Sequence, residues 1–273
     1  MKEFFLFLTL IIYLVSWIGF GFYFKTLKKE ALKISQLVLI IGFFFHTLFW
    51  IKRIYEIFQT FLLYFADIIN FLSWQIVLIY FFFNKSKIKV YTLGFFLLPL
   101  VLFLFILSYF FPTILSPFNP YLKSIWFPLH AILSLFSHGF LLIGLIVSIM
   151  YLLQEYEIKR KKLGIFFKKL PPLDSLDRIN EKCLYLGFTF LTLGIISGII
   201  WSDLYLGSYW RWSSKEIITL ILWIIYAILI HQRVLIGWRG KRVAYMFILG
   251  FLIWFFSFFV LNLLFKGFHT YAG

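Results

Sequence analysis

Cysteine and acidic side chains are scarce in this sequence, and the scarcity of cysteine excludes two kinds of site. The chain of 273 residues has one cysteine, and 11 acidic residues against 26 lysines and arginines. A single thiol forms neither an internal disulfide nor a zinc ribbon, so any cofactor must be held by other side chains. The sequence also lacks a phosphate-binding glycine loop, a nucleophile elbow and a metalloprotease spacing. The common hydrolase and nucleotide-binding classes are therefore not indicated.

Apolar residues, in contrast, are abundant. Hydrophobic residues make up 63% of the chain and the mean hydropathy is +0.95, more than a water-soluble domain of this length can bury. About 20 apolar residues span a bilayer as a helix. We predict an all-α membrane protein, a bundle of about eight transmembrane helices with no soluble domain. The predicted spans are 4–24, 34–51, 57–83, 90–111, 126–152, 180–201, 216–236 and 243–265.

The basic residues predict which way the bundle faces. Most of them lie in alternate connections, and cytoplasmic connections retain Lys and Arg. Both termini are therefore expected to be extracytoplasmic, with outer connections near 112–125 and 202–215. The long inner connection, 153–178, is the most basic; contact with anionic membrane lipid explains it, and docking of a partner is the alternative. Nucleic-acid binding is not expected.

Three distant parts of the chain are predicted to meet at the outer face. His130 lies near the outer end of the fifth span, His269 lies beyond the eighth, and an aromatic connection joins the sixth and seventh. Two neutral imidazoles beside flat rings are what a six-coordinate haem requires.

The aromatic connection runs from Trp201 to Glu216. If it is helical, four rings share one face: Trp201, Tyr205, Tyr209 and Trp212. Gly207 argues against a continuous helix. Arg211 and Lys215 are suited to the two propionates of a haem. An interfacial aromatic belt, which most multi-span proteins have, explains the same residues.

The stretch from residue 126 to the C-terminus resembles the CcsA/ResC type of cytochrome c assembly protein. Five motifs fall in the family's order: Trp126–His130, Tyr151–Glu155, Gly187–Gly194, Trp223–His231 and Gly267–Ala272. The earlier part resembles the family more weakly, through His46 and residues 67–74, where the family usually has glutamate in place of Asp67. We accordingly divide the chain into an N-terminal three-helix region, 1–89, and a haem-handling domain, 90–273.

The resemblance implies a function. It implies that the aromatic connection, including Trp210, is a tryptophan-rich haem-binding segment, that His130 and His269 are external axial ligands, and that His231 binds haem within the membrane. The expected activity is export of haem b and its presentation for attachment to apocytochrome c outside the cytoplasmic (plasma) membrane, as part of a cytochrome c synthetase, or haem lyase. The implied partners are a second membrane subunit of the ResB/CcsB type, apocytochrome c and a thiol-reducing pathway.

The aromatic connection departs from the family at three positions. Leu206, Ser213 and Ser214 stand where the family usually has tryptophan, aspartate and proline. The departures favour attachment to a restricted set of acceptors, or a haem-binding regulator or stabiliser without synthetic activity. A structural subunit of a larger membrane complex is a further alternative.

Two more histidines are candidate ligands. His138 follows His130 by two helical turns and is a possible partner of His231 for an in-membrane haem, while His46 lies in the second span. For both, packing by hydrogen bonds to a neighbouring helix is the alternative.

Overall fold

The protein is an all-α membrane protein, as predicted. The computed structural model describes residues 2–60, 64–84, 91–111, 124–161 and 164–257, which form helices and no strand. Seven of these helices are long and apolar enough to cross a membrane. The predicted last span, 243–265, starts within α9, and its C-terminal part lies outside the described residues. The helices are α1 (Lys2–Thr26), α2 (Lys29–Thr60), α3 (Phe65–Asn84), α4 (Leu93–Phe110), α5 (Trp126–Lys159), α6 (Ile165–Lys169), α7 (Leu173–Leu206), α8 (Ser214–Leu235) and α9 (Lys241–Phe255).

The boundary predicted between the second and third spans is wrong. The second span was predicted to end at residue 51, but α2 continues to Thr60. The charge of Arg53 is neutralised by Asp67 on α3: Nε donates to Oδ1 at 2.8 Å and Nη2 to Oδ2 at 2.6 Å. A guanidinium held by a forked pair of hydrogen bonds does not need water, so the helix need not stop at it.

The inner connection is also shorter than predicted. Residues 153–178 were expected to be a loop, but α5 continues to Lys159, α6 occupies part of the connection, and α7 begins at Leu173. The last turn of α5 carries an ion pair between Lys159 and Glu155, 2.9 Å apart and one turn away from each other. Helices of 34 residues are about 51 Å long at 1.5 Å per residue, so their polar ends extend beyond the hydrocarbon layer.

The chain forms two compact units. Unit 1 comprises Met1–Thr113 and Leu153–Ser175, and unit 2 comprises Ile114–Leu152 and Leu176–Gly273. The boundary that we drew at residue 89 from the sequence stays a prediction.

A buried chain of hydrogen bonds joins all four long helices of unit 1. His46 on α2 is fully buried; its Nε2 lies 3.0 Å from Asn70 Oδ1 on α3, and its Nδ1 lies 3.2 Å from the hydroxyl of Tyr13 on α1. The Asn70 amide in turn donates to Ser108 Oγ on α4 at 3.5 Å. Because Oδ1 only accepts, Nε2 of His46 carries the proton and Nδ1 accepts from Tyr13.

Small residues allow the helices of unit 2 to pack closely. Gly144 on α5 lies against the ring of Phe247 on α9, and Gly250 on α9 lies against Tyr226 of α8, where a Cβ would collide with either ring. Close approach at glycine is a common mode of packing between membrane helices, because lipid provides no hydrophobic force to bring them together. Cys183 on α7 is fully buried in this unit.

Replacement of Asp67 by asparagine should destabilise the protein by about 3 kcal/mol, because it removes the buried carboxylate that accepts both hydrogen bonds of the Arg53 fork and leaves only the more distant Glu56 as a counter-charge. Thermal unfolding in detergent measures the loss. Glu56→Gln is the control: Glu56 is 3.4 Å from Arg53 and its side chain is 23% exposed, so the expected loss is below about 1 kcal/mol. Equal losses in the two variants would contradict the role given to Asp67.

Candidate functional site

His130 lies in the second turn of α5 and contacts α7. Its Nδ1 is 2.7 Å from the carbonyl oxygen of Gly194. A carbonyl oxygen only accepts, so the proton of the neutral ring is on Nδ1. Nε2 is then unprotonated, with its lone pair available to a metal. Histidines that bind metals commonly donate their other N–H in this way, which fixes the tautomer and the ring orientation.

Two glycines on α7 allow α5 to approach closely around His130. A Cβ at Gly198 would lie 2.7 Å from Nδ1 and 2.8 Å from Cε1 of His130. A Cβ at Gly194 would lie 2.7 Å from Ser134 Oγ on α5. The two positions form a glycine-x-x-x-glycine pattern, a known signal for close helix packing in membranes. This pattern is the sequence signal that identifies the α7 face that receives His130.

The aromatic connection is not a continuous helix, so the condition under which its four rings would share one face is not met. α7 ends at Leu206, and Gly207 follows with φ of +67°, in the left-handed region that ends helices. Trp201 stays on α7, is buried, and contacts the ring of Phe127 on α5 with centroids 5.4 Å apart. The start of the connection therefore lies at the same end of unit 2 as the first turn of α5.

The later aromatic residues are more open. Tyr205, Tyr209 and Trp212 are exposed, the last to 71%. Trp210 and Trp212 meet edge to face, with ring centroids 6.1 Å apart. Trp212 has φ of +56°, a conformation that costs a residue with a side chain about 1–2 kcal/mol. Such strain is common where a functional surface dictates the backbone.

Ser213 and Glu216 hold the other end of the connection. Ser213 is the N-cap of α8: its hydroxyl accepts from the backbone N–H of Glu216, and the Glu216 carboxylate accepts from the backbone N–H of Ser213 at 3.0 Å. The same carboxylate accepts from the N–H of Arg211 at 3.0 Å. Arg211 thus precedes this capping box, and half-buried Lys215 lies within it, in the first turn of α8.

The capping box explains two of the three departures from the family. Aspartate and serine are both good N-caps, and proline is favoured at the first helical position. Ser213 therefore performs the capping that an aspartate would, and Ser214 occupies the first position of α8. The start of α8 is preserved despite both substitutions.

His231 lies on the surface of α8. It is exposed and lines an open groove of about 300 Å³. The groove is otherwise apolar, lined by Phe188, Ala227, Ile230, Val234 and Leu235. Trp223 and Thr192 join α8 to α7 a few turns away, the indole donating to the hydroxyl at 2.9 Å.

The remaining histidines differ in their surroundings. His138 contacts the ring of Trp254 on α9, with centroids 5.3 Å apart. Its buried Nδ1 makes no well-formed hydrogen bond within the part of the chain that the structure describes. His138 and His231 therefore have different neighbours, and their pairing around one haem stays a prediction. Both nitrogens of His46 are occupied by Tyr13 and Asn70, which favours the packing role. His269 lies outside the described residues.

Comparison with known proteins shows which family the chain belongs to. The sequence model of the family described as "Cytochrome C assembly protein" matches residues 62–269. This chain belongs to that family. Proteins named "Cytochrome c biogenesis protein CcsA" are similar to it: the one from Trieres chinensis is 32% identical, covering 94% of this chain and 92% of its own length.

Two further relatives with the same name come from algae. The protein from Mesostigma viride is 31% identical, over 69% of this chain and 70% of the relative. The protein from Chlamydomonas reinhardtii is 36% identical over 58% of this chain, which spans only 43% of that relative's length. The family gives the chain a role in cytochrome c biogenesis at a membrane, and this role implies haem handling and a partner such as apocytochrome c.

Ser213→Ala should destabilise α8 by about 1 kcal/mol, because the N–H of Glu216 loses its acceptor. Ser213→Asp should be close to neutral, since a carboxylate also caps. Thermal unfolding compares the two, with exposed Ser214→Ala as the matched control. A loss of the same size in Ser214→Ala would contradict the assignment of the cap.

Proposed function

We propose that this chain binds haem b at the outer face of the cytoplasmic membrane and presents it for covalent attachment to apocytochrome c. The observation that supports this most directly is the hydrogen bond from His130 Nδ1 to the Gly194 carbonyl, because it leaves Nε2 free to ligate iron. In this proposal His269 supplies the second axial nitrogen. The extracytoplasmic location rests on the distribution of basic residues.

The aromatic connection carries groups that suit such a substrate. The exposed rings of Tyr205, Tyr209 and Trp212 offer flat surfaces for a porphyrin. Trp210 packs against Trp212, and Trp201 packs against Phe127 on α5. Arg211 and Lys215 would meet the propionates, the first through a forked pair of hydrogen bonds and the second as a point charge. Haem itself supplies the vinyl groups, to which the reduced cysteine thiols of the acceptor add. The chain's contribution to this lyase reaction is orientation of the substrate.

The groove at His231 supports a second, in-membrane position for haem on its way out. An imidazole on an exposed, apolar face of α7 and α8 has room for a flat ligand, whose other axial nitrogen must then come from elsewhere. A second membrane subunit of the ResB/CcsB type would supply it. A thiol-reducing pathway would keep the acceptor's cysteines reduced.

His130→Gly should greatly reduce the haem that co-purifies with the chain, and added imidazole should restore the six-coordinate, low-spin spectrum, because a free ligand replaces the lost ring. Absorption spectroscopy of the purified protein measures both. A variant that retains full haem content and an unchanged spectrum would refute the proposed ligand. Coexpression with an apocytochrome then distinguishes a synthetase from a regulator. A chain that binds haem and supports covalent attachment is a synthetase, and a chain that binds haem without supporting attachment is a regulator.

Gly198→Ala should weaken haem binding by about tenfold, the lower end of what loss of an outer contact to a ligating histidine costs, because its Cβ displaces the ring of His130. Haem titration of the apoprotein measures the affinity. Gly187→Ala is the matched control on the same helix: its Cβ would lie 3.0 Å from a flexible methyl of Leu141, away from His130. The proposal predicts near-normal affinity in that control, and equal weakening in both would argue against a specific effect on His130.

A further inference from the structure

A buried arginine holds the inner end of α8, close to His231. The side chain of Arg233 is 4% exposed and forms a forked pair with Asp177 on α7: Nη2 donates to Oδ2 at 2.7 Å and Nη1 to Oδ1 at 3.2 Å. Its Nε donates to the carboxylate of Glu181 at 3.3 Å. Glu181 is the more open of the two acids, with 38% of its side chain exposed.

The same pair also fixes the connection that follows α8. Oδ1 of Asp177 accepts from the backbone N–H of Gly240 at 2.7 Å, and Nη1 of Arg233 donates to the carbonyl of Trp238 at 3.3 Å. Gly240 has φ of +63° and lies against the hydroxyl of Tyr151 on α5, where no Cβ would fit. Trp238 and Gly240, in the connection between α8 and α9, are therefore held by the ion pair at the first turns of α7.

This arrangement restrains the part of α8 that would otherwise be least ordered. The last turn of a helix has carbonyl groups without intrahelical partners and opens more readily than the interior. That turn of α8 carries Val234 and Leu235, which line the groove, and it directly follows His231. Positions two apart in a helix point to roughly opposite sides, so Arg233 faces α7 while His231 faces the groove.

We propose that Arg233 and Asp177 are positioning residues for His231. The ion pair sets the rotation and the axial position of the end of α8, and so sets where the imidazole stands in the groove. The inference rests on the proposed role of His231 as an in-membrane haem ligand. Unit 1 contains an ion pair of the same chemistry, Arg53 with Asp67, and we expect that pair to have no effect on the position of His231.

The test compares Arg233→Lys with Arg53→Lys in the full chain. Each variant retains the positive charge and loses the fork. His130→Gly is introduced into every sample, so that the external site contributes little haem. We expect both lysine variants to lower the unfolding temperature, and only Arg233→Lys to weaken haem binding, by about tenfold, and to shift the absorption spectrum and the reduction potential.

A double-mutant cycle with His231→Gly identifies the route of the effect. When imidazole replaces the missing ring, its position no longer depends on α8, so Arg233→Lys should cause no further loss of haem affinity. Glu181→Gln, at the exposed edge of the cluster, is the milder variant if Arg233→Lys fails to fold, and should change affinity in the same direction.

Three results would overturn the proposal. The first is a lowered unfolding temperature in Arg233→Lys with unchanged haem affinity, spectrum and potential, because it would make the pair purely structural. The second is an equal loss of affinity whether or not the His231 ring is present. In the third, His231→Gly alone has no effect on haem; the in-membrane site itself then fails, and the positioning role fails with it.

Discussion

Hydrocarbon offers no hydrogen bonds, and this constraint decides how the polar side chains of the protein are arranged. Each polar group placed at membrane depth must find its partner in the protein or remain costly. In unit 1 the ring of His46 on α2 forms hydrogen bonds with Tyr13 on α1 and Asn70 on α3. These directional contacts fix the relative positions of the three helices, which apolar packing alone would not do. In unit 2 the same requirement gives His130 its bond to the Gly194 carbonyl.

The bond at His130 connects the packing of the protein to its chemistry. A carbonyl oxygen in the middle of α7 selects one tautomer of a histidine on α5, and the helices approach closely enough for this because Gly194 and Gly198 have no side chains there. In the proposed function, Nε2 of His130 is then available to ligate iron before haem arrives. Preparation of this kind is what a protein contributes when the reactive groups belong to the substrate and the acceptor.

Hydropathy predicted the class of fold and most of the spans, because a run of about 20 apolar residues is a local property of the sequence. Hydropathy did not predict that α2 continues past Arg53. The residue that neutralises this charge, Asp67, is 14 positions away and cannot be recognised in a local window. Hydropathy also failed at 153–178 because helices continue past the hydrocarbon. The aromatic connection was only partly predictable: Gly207 signalled the break, but the turn that sends Trp212 outward depends on the capping box at Ser213. The family motifs predicted which histidines to examine, whereas the hydrogen bond that gives His130 its tautomer required coordinates.

Cys183, enclosed in the core of unit 2, gives the chain one more property. The protein's single sulfhydryl is out of reach of a sulfur on another chain, so it cannot be captured in a mixed disulfide at the surface. In the proposed function this inertness is an advantage, because no thiol of this chain competes with the two reduced cysteines of the acceptor for the haem vinyl groups. An alkylating reagent added to the folded assembly would accordingly mark the acceptor and leave this chain unlabelled.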